Sequence, residues 1–251
     1  MYRALDADKI IATIDLLQRR IDERFPGLDL AAVAGDLSAA AHDTAQKAKA
    51  LAKPNWKLRL LLPLSFLAVC FVVVYLVLTY GPVIGALPQT PSINVEVTNL
   101  LQTLEATINT IVIAGAALIF LYTRERWFKR HEALKALHQL RSLVHVIDMH
   151  QLTKDPSLVL GHERGNDTAA SPKRVMTPFE LGRYLDYCSE MLSLTGKVAA
   201  LYAQDLDDPV VVEAVNDIEM LATNLSRKVW QKIAILQAAT LGQLQMRALT
   251  E

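Results

Sequence analysis

One stretch restricts this chain more than any other: LRLLLPLSFLAVCFVVVYLVLTY, from Leu58 to Tyr80, carries no charge after Arg59. At about 1.5 Å per residue, roughly 20 such residues cross a hydrocarbon core of about 30 Å. A buried helix of a soluble protein is rarely so uniformly Leu, Val and Phe, so residues 58–80 are read as a membrane span. Pro63 lies near its start, where a neighbouring helix can satisfy the carbonyl that proline frees. A second run, LEATINTIVIAGAALIFLYT, covers Leu104 to Thr123. Its first third is polar and the rest apolar, and a hairpin leaves it no better place than the bilayer.

Basic residues orient the pair. Lys47, Lys49, Lys53, Lys57 and Arg59 crowd the entrance of the first run, and Arg124, Arg126, Lys129 and Arg130 crowd the exit of the second. Between Arg59 and Arg124 there is no Lys or Arg. Positive side chains stay on the cytoplasmic face, so both termini are expected there, in a multi-pass protein of a bacterial inner (plasma) membrane. Trp56 and Trp127 stand at matching depths as interface anchors, with Tyr80 at the outer edge. The outer loop, 81–94, is rich in Pro and Gly and reads as a turn region. Lys57, Arg59, Arg124, Arg126, Lys129 and Arg130 are candidate contacts for anionic lipid, although their topogenic role already explains them.

The remainder reads as helix. Apolar residues make up 52% of the chain but aromatics only 6%, a balance that favours helices over sheets. Ile10, Ile14, Leu17 and Ile21 keep helical spacing over 8–24, and Phe25, Pro26 and Gly27 stop the helix. A second, Ala-rich helix begins near Asp29, carries Leu30, Val33 and Leu37, and ends before Pro54. Its small side chains suit a hairpin packed against the rest of the chain. From about Asn94 to Leu152 there is no proline, so the second span is expected to continue as one long cytoplasmic helix. There Ala133, Ala136, Leu137, Leu140, Leu143, Val144 and Ile147 fall within an arc of roughly 120°. Residues 154–176 read as a mobile loop. TPFE then offers Thr177 as a cap, Pro178 at the first helical position and Glu180 to complete a capping box. That helix presents Leu181, Leu185, Cys188, Leu192 and Ala199 on one side. Asp208 and Pro209 start the last helix, where Val211, Val215, Ile218, Ala222, Leu225 and Val229 form a heptad, coiled-coil-like seam. Such a seam wants a partner helix from this chain or from a second copy. The expected fold is all-α: a transmembrane hairpin, 56–123, between an N-terminal hairpin, 1–55, and a C-terminal helical region, 124–251.

Candidate functional residues are few. His131, His138 and His145 lie seven apart, opposite the apolar stripe and among Lys135 and Ser142. Seven residues rise about 10.5 Å, too far for two of these side chains to share one metal at about 2.1 Å each. They are a hydrated face, with a pH-responsive ring in an oligomer as the functional alternative. His145 and Met149, four apart, are a weak pair for a soft metal. His162, Glu163 and Arg164 lack the second histidine of a zinc-protease helix. In the second span Gln102, Glu105 and Asn109 share a face and are candidates for a pore lining or for polar packing. Thr107, Thr110, Ala114 and Ala117 offer a small-residue face to Ser65 and Ala68.

No phosphate-cradling loop, zinc-spaced cysteine pair or nucleophile elbow is present, so no enzyme and no cofactor is expected. Cys70 and Cys188 sit in an apolar run and a helix, which argues against a disulfide framework. The opening MYRALDADKI has no apolar leader region, so no cleaved signal is expected. Net charge is zero, which gives no electrostatic case for nucleic acid.

The segments RIDERFPGLDL and LRSLVHVIDMHQLTKDP resemble an uncharacterised family of bacterial two-span inner-membrane proteins, through most of the chain. The resemblance implies no activity. The layout is also loosely similar to two-transmembrane pore-forming effector domains, in topology alone. The expected function is a homo-oligomeric, membrane-anchored scaffold or interaction module contacting lipid and a protein partner through its cytoplasmic helices. The alternative is an oligomeric ion channel or pore gated through those helices.

Overall fold

The computed structural model describes residues 4–53, 93–156 and 176–248, together with Leu64, Leu67, Phe71, Val74, Tyr75 and Leu78. Among the described residues the fold is all-α: five helices are delimited and no strand occurs. The chain divides into two compact units, one formed by Met1–Ala52 with Arg130–Glu251, the other by Lys53–Lys129. The N-terminal and C-terminal helical regions, separate in the sequence, therefore share one core.

Helix α1, Ala7–Arg24, starts where the Asp6 carboxylate accepts hydrogen bonds from the Asp8 and Lys9 amides at 3.1 and 3.3 Å. It ends as the Phe25 amide donates back to Ile21, and Gly27 takes φ +76°, a left-handed turn open to glycine without strain. Helix α2, Asp29–Ala52, returns antiparallel along α1. Asp15 ties the pair, accepting from Ser38 Oγ at 2.7 Å and lying 3.3 Å from His42 Nε2. Half of the buried face of α2 is alanine, with Ala34, Ala41, Ala45 and Ala48 beside Leu30, Val33, Leu37 and Thr44, and small side chains let helices approach closely.

Helix α3, Ile93–Leu152, runs without interruption, with Arg130 onward in the first unit. All seven residues of its apolar stripe, Ala133 to Ile147, are buried. Helix α4, Pro178–Asp205, opens with the expected capping box: Thr177 Oγ1 accepts from the Glu180 amide at 3.2 Å, and Glu180 Oε2 accepts from the Thr177 amide at 2.8 Å. Helix α5, Pro209–Ala248, starts at Asp208, whose Oδ1 accepts from the Val210 and Val211 amides at 3.1 and 3.4 Å.

Helix α4 is buried on far more of its circumference than one apolar side. Beyond the five residues expected to face inward, Tyr184, Tyr187, Met191, Leu194, Thr195, Val198, Leu201 and Tyr202 are also buried. It packs against α1, α2 and α5, and Lys154, after α3, lies over the Tyr184 ring at 5.2 Å. A helix with partners on most sides has little solvent face, which is why its tyrosines point inward. Phe25 meets the Tyr184 and Tyr187 rings edge-on at 5.8 and 6.1 Å. The heptad seam of α5, extended by Ile233 and Leu236, is buried and finds its partner within the chain, in α4.

Candidate functional site

In the second unit, α3 has two distinct long faces. Thr107, Ile111, Ala114, Leu118, Glu125 and Lys129 are half-buried and share an arc of about 60°. Gln102, Glu105 and Asn109 are exposed and lie on the opposite face, followed along the same side by Ala116, Phe120 and Trp127. The small-residue face divides: Thr107 and Ala114 belong to the half-buried row, whereas Thr110 and Ala117 are exposed. Ser65 and Ala68 lie outside the described residues. Thr110 Oγ1 and Thr123 Oγ1 each donate 2.8 Å to the carbonyl four residues back, so both hydroxyls are satisfied within the helix.

This helix is the one described element long and apolar enough to cross a membrane by length and composition, and none of its apolar window is buried. Leu64, Leu67, Phe71, Val74, Tyr75 and Leu78 of the first apolar run are helical and exposed. Trp56, Lys57, Arg59, Tyr80 and most of the 81–94 loop lie outside the described residues, as does most of the 154–176 loop with His162, Glu163 and Arg164.

The basic residues after the apolar segment are not equivalent. The Arg124 guanidinium carbon lies over the Trp127 ring at 5.0 Å from its centroid, and that of Arg126 over the Tyr122 ring at 5.4 Å. Lys129 Nζ lies 3.1 Å from Glu125 Oε1 and donates to the Lys53 carbonyl at 3.0 Å. Arg130 donates Nε and Nη2 to Asp208 Oδ2 at 2.9 and 2.8 Å. Asp208 thus uses one oxygen for the α5 cap and the other for Arg130. Burial alone would raise its pKa, but the Arg130 hydrogen bond and charge and the two amides outweigh that and hold it below the ordinary 3.8.

A second cross-link joins residues 81 apart in sequence. Lys232 Nζ, on α5, donates to the carbonyl and Oε1 of Gln151 at 2.8 and 2.7 Å, capping the last turn of α3. Gln151 is buried and donates Nε2 to Asp148 at 2.6 Å. Burial pulls the Lys232 pKa down, and Asp155 and Asp148 oppose the shift. The sequence carries no local signal for either cross-link. Glu125 and Lys129, four apart on one helix, have a spacing that signals such a pair, although the sequence reading did not single it out.

His131, His138 and His145 are exposed, as is Met149. Among the described residues no three His, Cys, Asp or Glu side chains are grouped to hold a metal ion. Cys188 is fully buried, and desolvation pushes its thiol pKa up to about 12, which makes it an inert core residue.

Two open pockets of about 530 and 540 Å³ lie between α4 and α5. One has Gly196, Glu219 and Trp230 in its lining, the other Phe179, Gly182 and Leu241. At the edge of the first pocket, Ser189 Oγ and Ser226 Oγ are hydrogen-bonded at 2.6 Å. Trp230, Phe179 and Leu241 are each more than half exposed, large apolar side chains outside the buried faces of α4 and α5. Comparison with protein-family models, curated proteins and solved structures finds no match to this chain.

Proposed function

We propose that this protein is a non-catalytic, homo-oligomeric scaffold anchored in the bacterial inner membrane, with both termini and the helical bundle in the cytoplasm. The observation that carries the reading is the exposed polar row, Gln102, Glu105 and Asn109, on the face of α3 opposite its half-buried row. An amide in hydrocarbon is costly unless hydrogen-bonded, and a second copy of the same row supplies donors and acceptors at matching depth. Helix α3 then links that contact, without a break, to a bundle whose α4–α5 surface offers Trp230, Phe179 and Leu241 to a protein partner. The resemblance to two-span inner-membrane proteins agrees with this layout and adds no activity.

A pore is the second reading, favoured by the carboxylate in the row. Glu105 and Asn109 repeated around an oligomer axis would line a cation route. Both readings require self-association, which Asn109→Leu is expected to weaken. Wild-type protein that is monomeric in mild detergent would overturn both. Voltage-driven cation flux from reconstituted protein, reduced by Glu105→Gln, would select the pore, and oligomers without flux would select the scaffold.

A further inference from the structure

The four basic residues that follow the apolar segment of α3 separate into two classes. Lys129 is engaged by Glu125, and Arg130 by Asp208. Arg124 and Arg126 are exposed, lie on aromatic rings, and among the described residues have no carboxylate partner. A guanidinium in cation–π contact with a ring makes no hydrogen bond through that contact, and its N–H fork matches two oxygens of a phosphate. Just before these residues, Ile119 and Phe120 are 69% and 66% exposed. A ligand complementary to both features carries an anionic phosphate and an alkyl chain on one molecule.

We propose that Arg124 with Trp127, and Arg126 with Tyr122, are two seats for the headgroup phosphate of anionic phospholipid, and that Lys129 and Arg130 are not. The two pairs lie about 150° apart around the helix, so they hold separate lipids. The aromatic rings lie beside each guanidinium at the end of the apolar segment, and the acyl chains lie along Phe120 on the Arg124 side and along Ile119 on the Arg126 side. The inference rests on reading this segment as membrane-embedded.

The test uses the full chain. Extraction of membranes with alkaline carbonate first establishes whether the protein is integral. Native mass spectrometry in mild detergent then follows retention of phosphatidylglycerol, with phosphatidylcholine as the reference lipid. Loss of about fivefold in apparent affinity is expected for each arginine in Arg124→Gln and Arg126→Gln, and less than about twofold for Lys129→Gln. Arg124→Lys and Arg126→Lys should restore part of the loss, because charge returns without the fork. Release by carbonate would overturn the membrane reading itself. An integral protein whose phosphatidylglycerol retention is indifferent to Arg124 and Arg126, or falls equally with Lys129→Gln, would overturn this inference alone. So would orthophosphate binding by 31P NMR with the same arginine dependence, which would mark a free-anion site.

Discussion

Removing the Asp208 carboxylate tests the central packing argument, because two elements depend on it. Its Oδ1 caps α5 through the Val210 and Val211 amides, and its Oδ2 accepts from Nε and Nη2 of Arg130. Loss of a cap costs about 1 kcal/mol. A charge-assisted hydrogen bond to a buried carboxylate contributes about 1.5–3 kcal/mol. The Arg130 side chain is 40% exposed, so water screens the pair and about 1 kcal/mol is the appropriate share. Asp208→Ala should therefore destabilise the bundle by about 2 kcal/mol, and Asp208→Asn, which keeps a capping oxygen, by about half of that. At about 2–4 °C per kcal/mol for a domain of this size, the Ala variant should lose about 4–8 °C in Tm. Far-UV circular dichroism of the full chain in detergent reads the transition. The pH dependence provides an independent check. The folded pKa lies below the ordinary 3.8, so this contribution is complete above the unfolded value and is lost as pH falls through the folded one. The gap between wild type and Asp208→Asn should close as the pH is lowered from about 6 toward about 3. A Tm for Asp208→Ala within about 1 °C of wild type would refute the reasoning, and so would a gap that does not change with pH.

Three further outcomes follow from buried polar groups. The Tyr202 hydroxyl is buried and makes no hydrogen bond of good geometry among the described residues, so Tyr202→Phe should leave stability unchanged or raise it by up to about 1 kcal/mol in denaturant titration. A clear loss would show that the hydroxyl has a partner. Cys188, with its thiol pushed up to about 12, should resist a thiol reagent at about pH 8 in a Cys70→Ser background and react only on unfolding, read as labelling against denaturant concentration. Lys232→Met should lower Tm by leaving the Gln151 carbonyl and amide oxygen without their donor. Because burial depresses the folded Lys232 pKa, wild-type stability relative to that variant should rise with pH in the interval just below the ordinary 10.5.

The sequence by itself determined the helices and their ends. Caps and breakers act over three or four residues, so Thr177 with Glu180, Asp208 with Pro209, and Phe25 with Gly27 were legible without tertiary context. The stripe from Ala133 to Ile147 and the seam from Val211 to Val229 were equally legible, since each helix has one dominant buried face and periodicity reports it. The shared face of Gln102, Glu105 and Asn109 followed from spacing alone, but that it lies opposite the half-buried row is a property of the packed helix. Only the tertiary structure decided the central position of α4. A wheel assumes one partner and one wet side, whereas α4 is covered around most of its circumference, and a tyrosine's polar tip does not tell which way its ring packs. Only the structure, too, distinguished Arg124 and Arg126 from Lys129 and Arg130. Arg130 meets a carboxylate 78 residues away, and such pairings arise when helices dock, so no local pattern along the chain encodes them.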